Sequence, residues 1–124
     1  MMYLDTHVAV WLYSGEMDRF TSEVSHLMES EDLILSPAAV LEMQYLSEAG
    51  KITVKPTQIT EYLKSTLNCV VSAMRFDRVV FEAVGLVWTR DPFDRLITGE
   101  AKAAGLKLVT KDTIIRENYD KAVW

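Results

Sequence analysis

The sequence predicts an α/β fold in which helices flank a central parallel β-sheet of about five strands. Short apolar runs alternate with helical segments along the whole chain, as in proteins with parallel sheets. The apolar runs show no regular alternation with polar residues, which is typical of strands covered on both faces. Helix starts at Ser36-Pro37 and Asp91-Pro92 and helix ends at Gly50 and Gly105 separate the elements.

The first half of the chain is expected to contain two strands and four helices. The apolar runs Met2-Tyr3-Leu4 and Leu33-Ile34-Leu35 predict the strands. The helices carry apolar residues at helical spacing or begin at a Ser or Pro that favours a helix start, and they are expected at residues 8–13, 17–29, 37–49 and 56–67.

The second half is expected to contain further strands at 69–71 and 106–109, with a short last strand within 120–124. Helices are expected at 75–84 and 92–104, with a single helical turn at 113–117, and residues 85–90 form an irregular link. Gly99 lies inside one of these helices, where glycine costs about 1 kcal/mol relative to alanine. Its presence predicts a close helix contact or a local kink.

Composition restricts the class of protein. A chain of 124 residues fits one domain, expected to span 1–124, and its net charge of −5 (13 − 18) does not favour bulk attraction to nucleic acid. No apolar run approaches the ~20 residues of a membrane span, and the N-terminus lacks the basic region of a signal peptide. Cys69 is the only cysteine, which excludes an intrachain disulfide. A cytoplasmic protein without membrane association is expected.

Acidic residues follow several of the predicted strands. Asp5 follows the first strand, Asp112 follows the strand at 106–109, and Asp91 and Asp94 begin the helix that leads into that strand. Glu42 lies about one turn inside the helix after the second strand, on a stripe with small and apolar residues (Ala38, Tyr45, Leu46 and Ala49). Because parallel strands end at one edge of the sheet, we expect these acids to meet there.

Two interpretations of the acids are open. Asp5, Asp91 and Asp112 each stand where a helix cap is expected, and Glu42 would be an ordinary solvated helix residue. Capping is served equally by Ser, Thr or Asn, however, and Glu42 is too far into its helix to cap it. Gathered carboxylates repel one another unless a cation or proton intervenes. Oxygen ligands alone suit Mg²⁺ or Mn²⁺, which assist phosphoryl and phosphodiester chemistry.

The chain resembles a PIN-domain ribonuclease, specifically a VapC-type toxin of a type II toxin–antitoxin pair. The resemblance covers nearly the whole length and depends on four strings: Leu4-Asp5-Thr6-His7, Leu35-Ser36-Pro37 with Glu42, Asp91-Pro92-Phe93-Asp94-Arg95-Leu96, and Leu108-Val109-Thr110-Lys111-Asp112. It implies a PIN domain that hydrolyses RNA phosphodiester bonds with water activated by Mg²⁺ or Mn²⁺. It also implies a homodimer that is inhibited by a cognate antitoxin protein.

The resemblance implies roles for individual residues. Asp5, Glu42, Asp94 and Asp112 correspond to the four catalytic acids of the family. Asp5 and Asp94 would bind the metal directly, Asp112 directly or through water, and Glu42 would position or deprotonate the attacking water. Asp91 is interpreted first as the helix cap, with a contact to metal-bound water as the alternative.

Residues beside the acids are candidates for supporting roles. Thr6 and Thr110 would hydrogen-bond the acids or the scissile phosphate, or else cap the adjacent turns. Thr98 stands four residues after Asp94 and is expected on the same helix face, near the pocket. Arg95 would hold an RNA phosphate or pair with an acid.

Other basic and aromatic residues have less specific signals. Arg90, Lys111 and Arg116 flank the acids in sequence and are candidates to hold RNA phosphates. His7 is expected to be packed or on the surface, with a position near the pocket as the alternative. The large apolar residues of the first three helices are expected in the core, and any that remain exposed would line a groove for an antitoxin helix or a dimer contact (Trp11, Tyr13, Met17, Phe20, Met43 and Tyr45). Trp88 is expected to pack beneath the irregular link rather than to stack a base.

Two other functions remain open. A phosphatase or phosphotransfer domain would use Asp5 as nucleophile, but a haloacid-dehalogenase-like enzyme requires a second acid at the position of His7. A response-regulator receiver requires an acid after the third strand, where Val71 and Ser72 offer none. A non-catalytic PIN-like module that only binds antitoxin or RNA is the second alternative, and the presence of all four acids argues against it.

Overall fold

A computed structural model describes all residues, 1–124, as a five-stranded sheet with seven α-helices around it. The elements in chain order are β1 (Met2–Leu4), α1 (Thr6–Ser14), a 3₁₀ turn (Met17–Arg19), α2 (Ser22–Ser30), β2 (Leu33–Leu35), α3 (Pro37–Glu48), α4 (Pro56–Leu67), β3 (Val70–Val71), α5 (Phe76–Val84), α6 (Pro92–Ala104), β4 (Lys107–Val109), α7 (Thr113–Asn118) and β5 (Ala122–Val123). No helix is long and apolar enough to cross a membrane.

All strand pairs are parallel, and the strand order is β3-β2-β1-β4-β5. Strand β1 is central, with Tyr3 opposite both Ile34 of β2 and Leu108 of β4. The α/β prediction is therefore confirmed. Because β1 and β4 run side by side in the same direction, Asp5 and the Thr110–Asp112 segment leave the sheet at the same edge.

The central strands are buried on both faces except at the start of β4, where the Lys107 side chain is 44% exposed. Met2, Tyr3 and Leu4 of β1 and Leu108 and Val109 of β4 are all at most 1% exposed. This burial explains why their sequences show no polar alternation. Strand β3 is different, since Val70 and Val71 lie at the sheet edge with 45% and 44% of their surfaces exposed.

The predicted helix over 17–29 is wrong in its first third. Residues Met17–Arg19 form a 3₁₀ turn, and Phe20 has an extended backbone that puts its side chain into the core. Thr21 then begins α2 as its cap, with its hydroxyl accepting the N–H of Val24 at 3.2 Å. A capping threonine inside an apolar periodic pattern therefore marks a helix start that periodicity alone does not reveal.

Two predictions about helix faces have opposite outcomes. In α3 the buried face carries Ala39 and Met43, whereas Tyr45 of the predicted stripe is 54% exposed.

In α6 the predicted close contact at Gly99 is confirmed. A Cβ at Gly99 would lie only 3.0 Å from the backbone N of Ala83 and 3.1 Å from the carbonyl oxygen of Val79. Helices α5 and α6 thus pack backbone to backbone, and a side chain at position 99 would require the α5 backbone to shift.

Candidate active site

Five acidic side chains line one cavity of about 400 Å³ at the carboxyl edge of the sheet. They come from four separate segments of the chain and are Asp5, Glu42, Asp91, Asp94 and Asp112. His7, Val8, Trp11 and Lys111 complete the lining. A larger cavity of about 580 Å³ lies between α2 and the α7–β5 end, but only two carboxylates line it, so the concentration of charge belongs to the smaller cavity.

Asp5 is the most enclosed of these acids, being 8% exposed. It caps α1 through Oδ1, which accepts the backbone N–H of Thr6 at 2.8 Å. Its other oxygen, Oδ2, accepts the hydroxyl of Thr110 at 2.6 Å. Burial raises the pKa of Asp5, while the hydrogen bonds from Thr110 and Thr6 oppose that rise. Both oxygens are thus held in place, and the carboxylate orientation is fixed by β1, α1 and the end of β4.

Thr110 links two of the acids. Its hydroxyl donates to Asp5 and also accepts the backbone N–H of Asp112 at 3.1 Å. Asp112 in turn caps α7, with Oδ1 accepting the N–H of Ile115 at 3.0 Å. One buried hydroxyl therefore sets the distance between the ends of β1 and β4 and the acids that follow them.

Asp91 and Asp94 have different roles at the start of α6. Asp91 is the helix cap, since its Oδ1 accepts the N–H groups of Phe93 at 2.8 Å and of Asp94 at 3.0 Å. Asp94 stands one turn further and is half-buried. Burial raises its pKa to about 7, and the charges of all four other acids add to the rise. That shared effect shows that the five carboxylates lie within electrostatic range of one another.

Glu42 reaches the cavity from the second turn of α3 and is half-buried. Burial is the main cause that raises the pKa of Glu42, with contributions from the carboxylates of Asp5 and Asp91. The nearby Thr6 hydroxyl opposes this rise, although Thr6 Oγ1 has no hydrogen-bond partner within 3.5 Å. We conclude that Thr6 lies close to Glu42 without a formed hydrogen bond.

Taken together, the cavity contains more negative charge than its walls neutralise. Lys111 is the only lysine or arginine among the lining residues. No three acidic, histidine or cysteine side chains already form a coordination shell for an ion. The arrangement is a set of carboxylate oxygens held apart by repulsion, which a proton or a bound cation would relieve.

Two residues predicted beside the site lie elsewhere. Arg95 contacts neither an acid nor the cavity, because its guanidinium donates to the carbonyls of Ala83 at 3.1 Å and Val84 at 3.0 Å and so caps the end of α5. Thr98 is fully buried in the interior of the fold, away from the cavity lining. Its four-residue spacing from Asp94 is helical, but the face of α6 turns from the cavity into the core between these two positions.

Two residues that the sequence indicated only weakly line the cavity. His7 is exposed and lines it, so the alternative position near the pocket is the one observed. Trp11 stands four residues further along α1, and its ring lies 6.1 Å from that of His7. This position could have been predicted, because His7 and Trp11 are four residues apart on α1, the helix that Asp5 caps, and so share one face. Trp88, as expected, packs partly buried against the core.

Comparisons with known proteins agree with this architecture. Residues 2–121 match the PIN domain family. The chain is 30% identical over 118 residues to Ribonuclease VapC22 of Mycobacterium tuberculosis, covering 93% of this chain and 89% of the relative.

Solved structures share the fold at lower sequence identity. A VapBC2 complex from Rickettsia felis, bound to a DNA fragment from its promoter, gives a TM-score of 0.68 at 20% identity, over 100% of this chain and 98% of that one. A toxin–antitoxin complex from Klebsiella pneumoniae gives 0.68 at 15% identity, over 100% and 97%. The match across 2–121 and the 30% identical relative establish that the chain belongs to the PIN domain family.

Proposed function

We propose that the chain is a metal-dependent endoribonuclease and the toxin component of a toxin–antitoxin pair. The observation that carries the proposal is the cavity in which five carboxylates meet at the carboxyl edge of a PIN-domain sheet. The relative named Ribonuclease VapC22 and the toxin–antitoxin complexes with the same fold support it. We also propose that the protein acts in the cytoplasm, where it would meet its RNA substrate.

The residues present fit a small divalent cation. The donors available in the cavity are mainly carboxylate oxygens, which Mg²⁺ and Mn²⁺ prefer, while His7 is the only nitrogen ligand among the lining side chains and no cysteine lines it. Asp5, Asp94 and Asp112 would hold the ion. The raised pKa values of Asp5 and Asp94 mark groups that a cation would stabilise in the charged form. When bound, Mg²⁺ or Mn²⁺ would offset phosphate charge and acidify water.

The protein's own groups supply the remaining requirements for hydrolysis. Glu42 is half-buried with a raised pKa, which suits a carboxylate that accepts a proton from an attacking water. Thr110 and the N–H of Thr6 hold Asp5 in one orientation, so no reorganisation is needed when substrate arrives. Asp91 fixes the first turn of α6 and thereby the position of Asp94.

Partner binding is supported by exposed apolar side chains. Several large ones lie on α5, the link after it, and the outer face of α3: Leu41, Tyr45, Phe76, Phe81, Val84 and Val87. Leu41 and Phe76 line one groove, and adjoining exposed apolar groups are typical of interaction surfaces. We propose that this surface supports self-association into a homodimer, while a cognate antitoxin protein binds the toxin and blocks RNA access.

A phosphotransfer function is disfavoured because its companion acids are missing. His7 stands where a haloacid-dehalogenase-like enzyme needs a second acid, and Val71 and Ser72 offer none where a receiver domain needs one. A purely binding module is distinguished by calorimetry with Mn²⁺. Failure of the folded protein to bind Mn²⁺ would favour that alternative.

The deciding experiment uses purified protein freed of antitoxin, a mixture of structured and messenger RNA, and Mn²⁺. We expect cleavage that stops with EDTA and is lost in Asp94→Asn. The matched control is Asp18→Asn, an exposed acid on the 3₁₀ turn outside the cavity, which should cut RNA like the wild type. Equal cleavage by Asp94→Asn and the control would reject the cavity as the active site.

A further inference from the structure

Two cation–aromatic pairs stand beside the acidic cavity. The guanidinium carbon of Arg19 lies 4.8 Å from the centre of the Trp11 ring, and the Lys111 ammonium lies 6.0 Å from that of Trp124. The two tryptophan rings are 6.0 Å apart and meet edge to face at 64°. One aromatic pair therefore has a positive charge over each of its rings.

The same residues connect the cavity to a second groove. Trp11 and His7 line both the acidic cavity and an adjoining groove of about 500 Å³. Arg19, Lys51 and the carboxylate of Glu16 line that groove, whereas Lys111 lines the acidic cavity itself. The Trp11 ring is thus a shared wall between the acidic cavity and a groove with two cations and one carboxylate.

A purely structural interpretation accounts for only part of this arrangement. Trp11 and Trp124 are partly buried and pack against the core, and Arg19 is held by Glu16 at 2.9 Å. Yet the Arg19 side chain is still 43% exposed, and Lys51 and Lys111 take part in no ion pair. Lys51 and Lys111, which are unpaired, and the partly exposed indole rings provide the charge and aromatic contacts that single-stranded nucleic acids use.

The charge of the chain makes such contacts necessary for an RNA substrate. With a net charge of −5 and five acids in the cavity, phosphates next to the scissile one would be repelled. A cavity cation neutralises only the phosphate that it contacts. The neighbouring phosphates need their own positive groups, and these cations are the ones that flank the cavity.

We propose that Trp11, Arg19, Lys51 and Lys111 form a flanking subsite that binds the single-stranded RNA nucleotides next to the scissile phosphate. This inference depends on the proposed ribonuclease function. Arg19 and Lys51 contact phosphates in the adjoining groove, Lys111 contacts a phosphate at the cavity entrance, and the part of the Trp11 ring that Arg19 leaves uncovered contacts the nucleotide between them. The subsite recognises charge rather than base identity, because most of its contacts are to phosphates.

The test is steady-state cleavage of a short fluorescent single-stranded RNA with saturating Mn²⁺, measured at several salt concentrations. We expect Arg19→Ala and Lys111→Ala each to raise KM about fivefold, the effect of losing one exposed charge contact. Each should also reduce the slope of log KM against log salt by about 0.7, the value for one phosphate contact to a single strand. Lys64→Ala, which removes an exposed cation of α4 that lines neither groove, is the matched control.

The outcomes separate the two proposals. If the wild type cuts no RNA, the proposed function fails. If the wild type cuts RNA and both variants keep the KM and salt slope of Lys64→Ala, the flanking subsite is rejected. It is also rejected if Arg19→Ala weakens binding of an antitoxin peptide while leaving KM for RNA unchanged, since the groove would then serve a protein. Thermal melting of each variant checks that these surface changes leave the fold intact.

Discussion

Asp5 and Glu100 are the two most buried carboxyl groups of the chain, and their surroundings differ. Asp5 is 8% exposed, and each of its oxygens accepts a hydrogen bond, from the Thr6 N–H and the Thr110 hydroxyl. Glu100 is 2% exposed, and only Oε1 has a partner, the hydroxyl of Ser36 at 3.2 Å, while Oε2 has none. Neither group takes part in an ion pair.

The difference shows that burial of an acid does not by itself mark a reaction site. Asp5 borders a cavity with four other carboxylates and is oriented from two sides. Glu100 lies where α6 approaches the start of α3, and its single bond goes to the residue that caps α3. What distinguishes the candidate site is convergence together with fixed orientation. We therefore expect changes at Asp5 to affect activity and changes at Glu100 to affect stability.

The largest expected effect is the loss of activity in Asp5→Asn. The amide keeps the size of the side chain but removes its charge, and RNA cleavage with Mn²⁺ should fall by about 100- to 1,000-fold. The matched variant Glu100→Gln should retain activity within about threefold, because Glu100 lies outside the cavity. Rates are measured under single-turnover conditions. Similar losses in both variants would remove the distinction between the two acids.

The second effect concerns the hydroxyl that orients Asp5. Thr110→Val keeps the shape but removes both the donor to Asp5 and the acceptor for the Asp112 N–H. We expect about 1–3 kcal/mol lower free energy of unfolding, because two polar groups lose their partner. Activity should fall about tenfold. Thr110→Ser keeps the hydroxyl but lacks the methyl group, and it should stay close to the wild type in both quantities. Losses in Thr110→Ser as large as those in Thr110→Val would contradict the role of the hydroxyl.

A smaller effect of opposite sign is expected at Glu100. Glu100→Gln keeps an acceptor for the Ser36 hydroxyl and replaces an acid that is buried without a cation partner. The free energy of unfolding at neutral pH should rise by about 1 kcal/mol, measured by urea denaturation. Glu61→Gln, on the exposed face of α4, should be close to neutral. Marked destabilisation by Glu100→Gln would reveal a partner for Oε2 that needs its charge.

A further effect is a pH dependence that originates in the acid cluster. The pKa of Asp94 rises from 3.8 in a model peptide to about 7 in the fold, so the folded state binds this proton more tightly than the unfolded state. The stabilisation is complete below pH 3.8 and is lost as the pH rises through about 7. In EDTA, wild-type stability should therefore decline relative to that of Asp94→Asn between pH 5 and pH 8. Parallel pH profiles would contradict the shift.

The sequence was sufficient for the parts of the fold and site that depend on strand ends and caps. Parallel strands alternating with helices predicted the sheet, and acids directly after β1 and β4 had to meet once those strands were neighbours. The N-cap role of Asp91 followed from Pro92 and is confirmed by its two hydrogen bonds. These predictions needed only local chemistry and the single direction of a parallel sheet.

The positions that the sequence did not predict depend on how the helices pack against one another. Arg95 reaches the carbonyls at the end of α5 because Gly99 lets α5 and α6 approach closely, and no local pattern gives the rotation of one helix against the other. Thr98 shares a helix face with Asp94 by spacing, but that face meets the core one turn later. The start of α2 was also predicted wrongly. Apolar periodicity predicted a helix from residue 17, whereas Thr21 is the cap and the helix begins after it.

The edge strand β3 has a consequence for how the chain behaves at high concentration. Strand β3 pairs with β2 on one side only, and its two valines, Val70 and Val71, are half-exposed. An open strand edge with β-branched residues is a template on which another polypeptide can add by backbone hydrogen bonding. The strand is two residues long, too short for a stable added ladder. Its brevity therefore protects the protein against growth of the sheet from one molecule into the next.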